Sequence, residues 1–370
     1  MKKVIFYYDE VNPRTGKKKH SWRALQHSFR SVKSRNYIER FRKYIAAGGT
    51  KKQKLEEIDS FTFSCFEKAR AQLLSISNNQ LISSWQRCRR SYPKYNLVNV
   101  FNTDQSGLQL ELFSNRTLSF EGEHLTLGKV QSINNTTHSY TVQPMISMSG
   151  RHIGPLFLCL KEASGHLSEN IKKNLFTASN IAITCSKSGK LTTSLVKYWI
   201  DNVLKPTIGD KKCLLLSDYW GGQRDETLYA DLKYLKRLEI PKKTTAMIQP
   251  CDVYYNRQYK YLVRKMYHHV RLYGMDINLA QRNNIIKLNS LVFNQLSSPK
   301  FHAMIQYSWY QSGYSTISPG VFKNVKETCF SFIDNHCHSQ SCIDPTPFIT
   351  CAYCDDVLCF EHFFEKYHFH

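Results

Sequence analysis

Two apolar runs of strand length in this chain each lead to an aspartate, and that pairing constrains the fold more than any other feature. Residues 96–102 lead to Asp104, and residues 212–217 lead to Asp218. Residues 139–148 alternate like a strand, and 155–160 form a continuous apolar run. Alternation marks a half-buried strand, and an unbroken run of this length a fully buried one. Gln105, Ser106 and Gly107 read as a turn. Helical spacing follows at 193–204, at 225–238 and, at greater length, at 252–273. Short-turn strands followed by strand–helix alternation predict a mixed α/β sheet. Adjacent strands can then set Asp104 and Asp218 side by side, and Asp252, at the start of the long helix, can join them.

An isolated aspartate at a strand end or helix start is ordinary turn or cap chemistry. Three together are not. Clustered carboxylates repel one another and favour a hard divalent cation between them. Two Mg²⁺ (or Mn²⁺) ions held by Asp104, Asp218 and Asp252 suit phosphodiester chemistry, activating water or a 3′-hydroxyl and stabilising the leaving oxygen.

The charge balance points to the same substrate. The chain carries 51 Lys and Arg against 29 Asp and Glu, a net +22. Residues 1–100 hold 22 basic and 7 acidic residues, so a surplus of 15 sits in that segment. A surplus so concentrated favours a polyanionic partner, double-stranded DNA above all. The segment reads as short basic helices, at 35–45, 61–74 and 79–90, with a Gly48-Gly49 break, as in a helix-turn-helix reader. Arg23, Arg30, Arg40, Lys51, Lys52 and Lys54 are candidate phosphate contacts there. Arg257 and Lys260, one and two turns beyond Asp252, are candidates on the long helix. No stretch approaches the ~20 apolar residues of a membrane span, and the apolar run at the N-terminus is too short for a secretory signal. No membrane partner is expected.

Twelve cysteines fall into two populations. Six are scattered singly, and six crowd residues 329–359 among histidines, which suits a metal rather than disulfides. The pairs Cys337/Cys342, Cys351/Cys354, Cys359/His362 and His368/His370 can hold one or two Zn²⁺. In a cross-braced arrangement Cys337, Cys342, Cys359 and His362 take one ion, and Cys351, Cys354, His368 and His370 the other. His336 and His338 compete for the first position. A single site of Cys351, Cys354, Cys359 and His362 is the simpler alternative.

Asn102-Thr103-Asp104-Gln105-Ser106-Gly107, Leu215-Leu216-Ser217-Asp218-Tyr219-Trp220-Gly221-Gly222 and Ile248-Gln249-Pro250-Cys251-Asp252-Val253 together resemble the DDE-superfamily transposases, most closely the pogo/Tigger and mariner branch. The 33 residues between Asp218 and Asp252 are similar to that family's spacing. Asn115-Arg116-Thr117-Leu118-Ser119 and Thr137-His138-Ser139-Tyr140-Thr141 look familial, and Phe66-Glu67-Lys68-Ala69-Arg70 resembles the end of a centromere-protein-B-like DNA-binding region. The resemblance covers roughly residues 30–275. The run from Cys354 to Phe363 is similar to the zinc-binding tails of piggyBac-like transposases.

What the resemblance implies is an RNase H-like catalytic domain with Asp104, Asp218 and Asp252 as the metal-binding triad. The implied enzyme is nuclear and acts as a homodimer. It hydrolyses DNA at transposon terminal repeats, and the freed 3′-hydroxyl attacks target DNA by transesterification. The expected division is an all-α basic DNA-binding domain over 1–95, the RNase H-like domain over 96–275, a helical linker or extension over 276–328 and a small zinc module over 329–370. The competing reading is a domesticated DNA-binding protein that keeps the fold without catalysis. A zinc hydrolase acting through the tail is the weakest, because four Cys/His ligands leave no open position for water.

Overall fold

The computed structural model describes residues 2–13, 15–46, 94–109, 140–240, 245–332, 336–340, 342 and 346–370. The helices expected at 61–74 and 79–90, together with Lys51, Lys52, Lys54 and the motifs at 66–70 and 115–119, lie outside the described residues. The chain divides into two compact units, Met1–Asn79 and Gln80–His370.

In the first unit, helices Lys2–Asp9, Trp22–Ser28 and Asn36–Ala46 enclose a small core of Val4, Leu25, Val32 and Ile38. Ser21 caps the second helix by accepting from the Ala24 N–H, which offsets one orphan donor. The third helix matches the expected 35–45 pattern: Ile38 is buried, with Tyr37 and Phe41 packed beside it.

The second unit is built on strands β1 (Val100–Thr103), β2 (Ser106–Leu108), β3 (Tyr140–Gln143), β4 (Met145–Ser147), β5 (Leu156–Lys161), β6 (Ile181–Ser186), β7 (Cys213–Asp218) and β8 (Leu235–Ile240). They form two four-stranded ladders, β4-β1-β7-β8 and β2-β3-β5-β6. The ladders continue one another, because only Asp104 and Gln105 separate β1 from β2 and only Pro144 separates β3 from β4. Proline has no N–H to give a ladder, so the sheet kinks there. The Thr103 hydroxyl donates to the Pro144 carbonyl at 2.8 Å across the kink. Three antiparallel lines followed by two strands parallel to the first make an RNase H-like sheet.

Side-chain alternation places Cys213 and Leu215 in one core and Leu214 and Leu216 in another, on opposite faces of β7. With cores on both faces, β5 and β7 are buried along nearly their whole length, which is why 156–160 and 213–216 read as unbroken apolar runs.

Three expectations are corrected. Residues 225–238 form no long helix: a single tight turn at Glu226–Tyr229 precedes β8, whose six residues pair along the whole of β7. Leucines at 228, 232, 235 and 238 imitate helical spacing, but Leu235 and Leu238 lie in β8, paired with Cys213 and Leu216 of β7. Ser106 and Gly107 belong to β2 rather than to a turn. The segment 276–328 is helical as expected, yet its helix Arg282–Ser297 lies in the core, with Ile285, Leu288, Leu291, Val292 and Leu296 buried. Its buried Asn289, Asn294 and Gln295 made the sequence look polar.

Strands β9 (Ile349–Thr350) and β10 (Val357–Leu358) form a small hairpin near the C-terminus. Phe348, Phe360, Phe363 and Phe364 share one continuous core with Val142, Leu158 and helix Asn256–Leu272. No helix among the described residues is long and apolar enough to cross a membrane.

Candidate active site and metal centres

Asp218 ends β7, and Asp104 follows β1 by one residue at the kink. Because β1 and β7 run parallel with Asn102 opposite Leu216, the two aspartates leave the same edge of adjacent strands. Asp252 comes from a widened turn, Cys251–Tyr255, where the Asn256 N–H reaches back five residues to the Cys251 carbonyl. Such wide turns recur at functional sites.

One side chain joins all three elements. The buried Asn102 amide donates to the Leu216 carbonyl at 3.0 Å and accepts from the Cys251 N–H at 2.9 Å. It therefore ties β1 to the end of β7 and to the residue before Asp252. Replacing it leaves a carbonyl and an N–H unpaired in the core, each costing ~1–3 kcal/mol. Asn102→Ala is expected to lower unfolding free energy by roughly 2–4 kcal/mol, measured by urea denaturation. A loss below ~0.5 kcal/mol would mean that water replaces the amide freely.

The carboxylates are electrostatically frustrated. Asp104 is only 9% exposed. Burial first, then the adjacent Asp252 charge, push its carboxyl well above the usual range; Asp218 adds to this and the Asn256 amide opposes it. Burial also raises the half-buried Asp218, against a 2.7 Å hydrogen bond from the Tyr219 N–H. A buried thiol at Cys251 is raised by burial and by Asp104 and Asp252. This arrangement keeps carboxylates together at an electrostatic cost that a divalent cation would remove. The donor set, all carboxylate oxygen, fits Mg²⁺ or Mn²⁺.

Beyond Asp252, helix Asn256–Leu272 presents Arg257, Lys260, Arg264 and His268 at helical spacing, with Arg257, Arg264 and His268 exposed and Lys260 half-buried. Arg264 and His268 were not among the sequence candidates, although the successive four-residue steps from Lys260 to Arg264 and from Arg264 to His268 were there to be read. In the first unit Arg23, Arg30 and Arg40 are exposed. Arg40 donates to the Tyr44 hydroxyl at 3.4 Å and lies over the Tyr37 ring.

The C-terminal ligands sort into two groups, Cys337/Cys342/Cys359/His362 and Cys351/Cys354/His368/His370, each with its ligand atoms within 4.8 Å of one another. Within the first, Cys342 and Cys359 Sγ are 3.7 Å apart and His362 Nδ1 is 3.1 Å from Cys359 Sγ. Within the second, His368 Nε2 lies 3.4 Å from Cys354 Sγ and 2.9 Å from His370 Nε2. These are near the ligand–ligand edges of a tetrahedral zinc site. The interleaving is that of the cross-braced arrangement, and the four ligands of the one-zinc alternative are divided between the groups. His338 takes no part, lying 3.5 Å from the Asp356 carboxylate instead.

Helix Arg282–Ser297 supports the second group. Gln295 donates to Cys351 Sγ at 3.4 Å and accepts from the Ala352 N–H at 2.7 Å, and Asn294 donates to the His370 carbonyl at 2.7 Å. Burial opposes ionisation of Cys351, yet hydrogen bonds from His368, from the N–H groups of Cys354 and Tyr353 and from Gln295 draw its thiol down to about 6.

Residues 141–319 match the family described as DDE superfamily endonuclease, which takes in Asp218 and Asp252, while Asp104 precedes the matched segment. Residues 309–370 match the Tc5 transposase C-terminal domain, so the tail that resembles piggyBac tails has its counterpart there. No curated protein matches the chain. Among solved structures, the mariner Mos1 paired end complex with Mg is 10% identical over 82% of this chain and 93% of that one, with a TM-score of 0.36. The Mos1 strand transfer complex is 10% identical over 60% and 61%, with a TM-score of 0.35. The pre-cleavage Mos1 transpososome is 9% identical over 65% and 64%, also at 0.35. The chain thus spans under two thirds of the last two. Scores this low bear on neither chemistry nor partner. On the two family matches, the chain carries a DDE superfamily endonuclease domain that runs directly into a Tc5 transposase C-terminal domain.

Proposed function

We propose that the chain is a divalent-metal-dependent transposase that hydrolyses DNA at transposon ends and joins the freed 3′-hydroxyl to target DNA. The observation that carries this reading is the convergence of Asp104, Asp218 and Asp252 from β1, β7 and the Cys251–Tyr255 turn, with Asp104 held buried beside a second carboxylate. When bound there, two Mg²⁺ or Mn²⁺ ions would supply Lewis-acid activation of the attacking oxygen and charge neutralisation at the leaving one. The chain's own part is to hold three oxygen donors at one sheet edge and to bring phosphates to them. Arg257 and Lys260, with Arg264 and His268 on the same face, lie along a path away from the aspartates and suit a DNA backbone. Arg23, Arg30 and Arg40 give the first unit a matching role.

The two Cys/His groups would each hold a structural Zn²⁺, closed by four protein ligands. Joining two transposon ends calls for a homodimer, and the substrate places the protein in the nucleus.

The test is cleavage of DNA bearing the terminal repeats of the source element, with Mg²⁺ or Mn²⁺, by the wild type and by Asp218→Ala. Metal-dependent nicking by the wild type alone is expected. Binding without cleavage by either protein would favour the domesticated DNA-binding reading and sink the enzymatic one.

A further inference from the structure

Asn256 lies one helical turn beyond Asp252, on the same face, and is 7% exposed. Its amide nitrogen donates to Asp104 Oδ2 at 2.7 Å and to Asp252 Oδ1 at 3.2 Å. A primary amide has two N–H bonds, so one group serves both carboxylates. We infer that Asn256 is a positioning residue for the metal site, a neutral clamp that sets the separation of Asp104 and Asp252 before the cation arrives. The inference rests on the proposed metal-dependent reading of the aspartates.

Three physical points carry it. A cationic side chain in this place would satisfy the same oxygens but would also cancel the charge that attracts the metal, whereas an amide donates without cancelling it. Each carboxylate retains further lone pairs after accepting one N–H, so the clamp and a cation can be held together. The widened turn fixes the clamp's phase. Because the Asn256 N–H bonds the Cys251 carbonyl rather than that of Asp252, the extra residue in the turn determines where the amide points relative to Asp252. Partners that orient ligands in this way typically change metal affinity or activity 10–100-fold when removed.

The experiment uses the full chain with zinc supplied and no DNA. Mn²⁺ is titrated in and the free ion is read by electron paramagnetic resonance. Thiolate-rich groups are poor hosts for Mn²⁺, so the signal reports the aspartates. Asn256→Ala is expected to weaken Mn²⁺ binding by about tenfold or more, and Asn256→Ser, which keeps one donor, to fall between it and the wild type. In cleavage assays the half-saturating Mn²⁺ concentration should rise by a similar factor, while the rate at saturating Mn²⁺ stays within a few-fold. A general structural defect would lower both.

Wild-type Mn²⁺ affinity in Asn256→Ala would overturn the inference. If that variant does not fold, wild-type affinity in Asn256→Ser overturns it instead, and an intermediate affinity there supports it. Failure of the underlying reading looks different: the wild type and Asp218→Ala would then give the same Mn²⁺ isotherm.

Discussion

Asp104→Asn is expected to abolish metal-dependent strand cleavage and, in the same protein, to raise the thermal midpoint measured without added Mg²⁺ or Mn²⁺. The two effects have one cause. Asp104 is buried against Asp252 with a carboxyl pushed well above its usual range, so the fold bears the cost of keeping an ionisable group where it is poorly solvated. An amide of the same shape removes that cost, so the unfolding free energy without added metal should rise. For a chain of this size the midpoint should move up by about 2–4 °C per kcal/mol. Cleavage should fall on the order of 10³-fold or more, because removal of one member of a catalytic group disables the group. Calorimetry and a nicking assay on the same preparation decide the matter. A midpoint that falls, with cleavage intact, would make Asp104 an ordinary structural aspartate.

The second large effect concerns the tail. Elemental analysis of the purified chain should find two zinc per molecule, and a zinc-selective chelator should remove them in sequence. The group containing the exposed Cys354 and His370 should empty first, ahead of the one whose Cys337 and Cys359 are buried. Structural zinc contributes ~10–16 kcal/mol in small isolated modules, comparable to the ~5–15 kcal/mol total stability of an ordinary domain. Here the phenylalanines between the ligands, Phe348, Phe360, Phe363 and Phe364, are part of the same core as helix Asn256–Leu272. Full zinc removal is therefore expected to expose apolar surface and lower the thermal midpoint of the whole second unit. One zinc per chain, or chelation without effect on melting, would defeat this expectation.

The sequence was most legible where a residue's chemistry and its neighbours along the chain pointed the same way. Asp218 at the end of Cys213–Asp218 is such a case, because a continuous apolar run marks the buried strand and the aspartate that closes it marks where the strand ends. The Cys/His pairs are another, since gaps of one, two and four residues already limit which atoms can share an ion. Asn102 and Asn256 were illegible for the opposite reason. Asn102 finds its partners 114 and 149 residues away, and Asn256 reaches Asp104 across 152. Nothing local distinguishes such an asparagine from one in a turn. Strand β6 was missed because four of its six positions are polar or small, and β8 because its leucines mimic a helix. Both are held by pairing with β5 and β7 rather than by their own propensity.

The shared core has a consequence for heredity. A coding sequence that draws phenylalanines for the interior of the catalytic unit, and the ligands between them, from residues 348–370 cannot lose that stretch without losing the core. A nonsense or frameshift change near residue 350 would remove Cys351, Phe360, Phe363, His368 and His370 together. The expected product is an unfolded chain rather than a shortened enzyme. Truncated alleles should therefore behave as nulls, with no residual nicking and no dominant interference with intact copies.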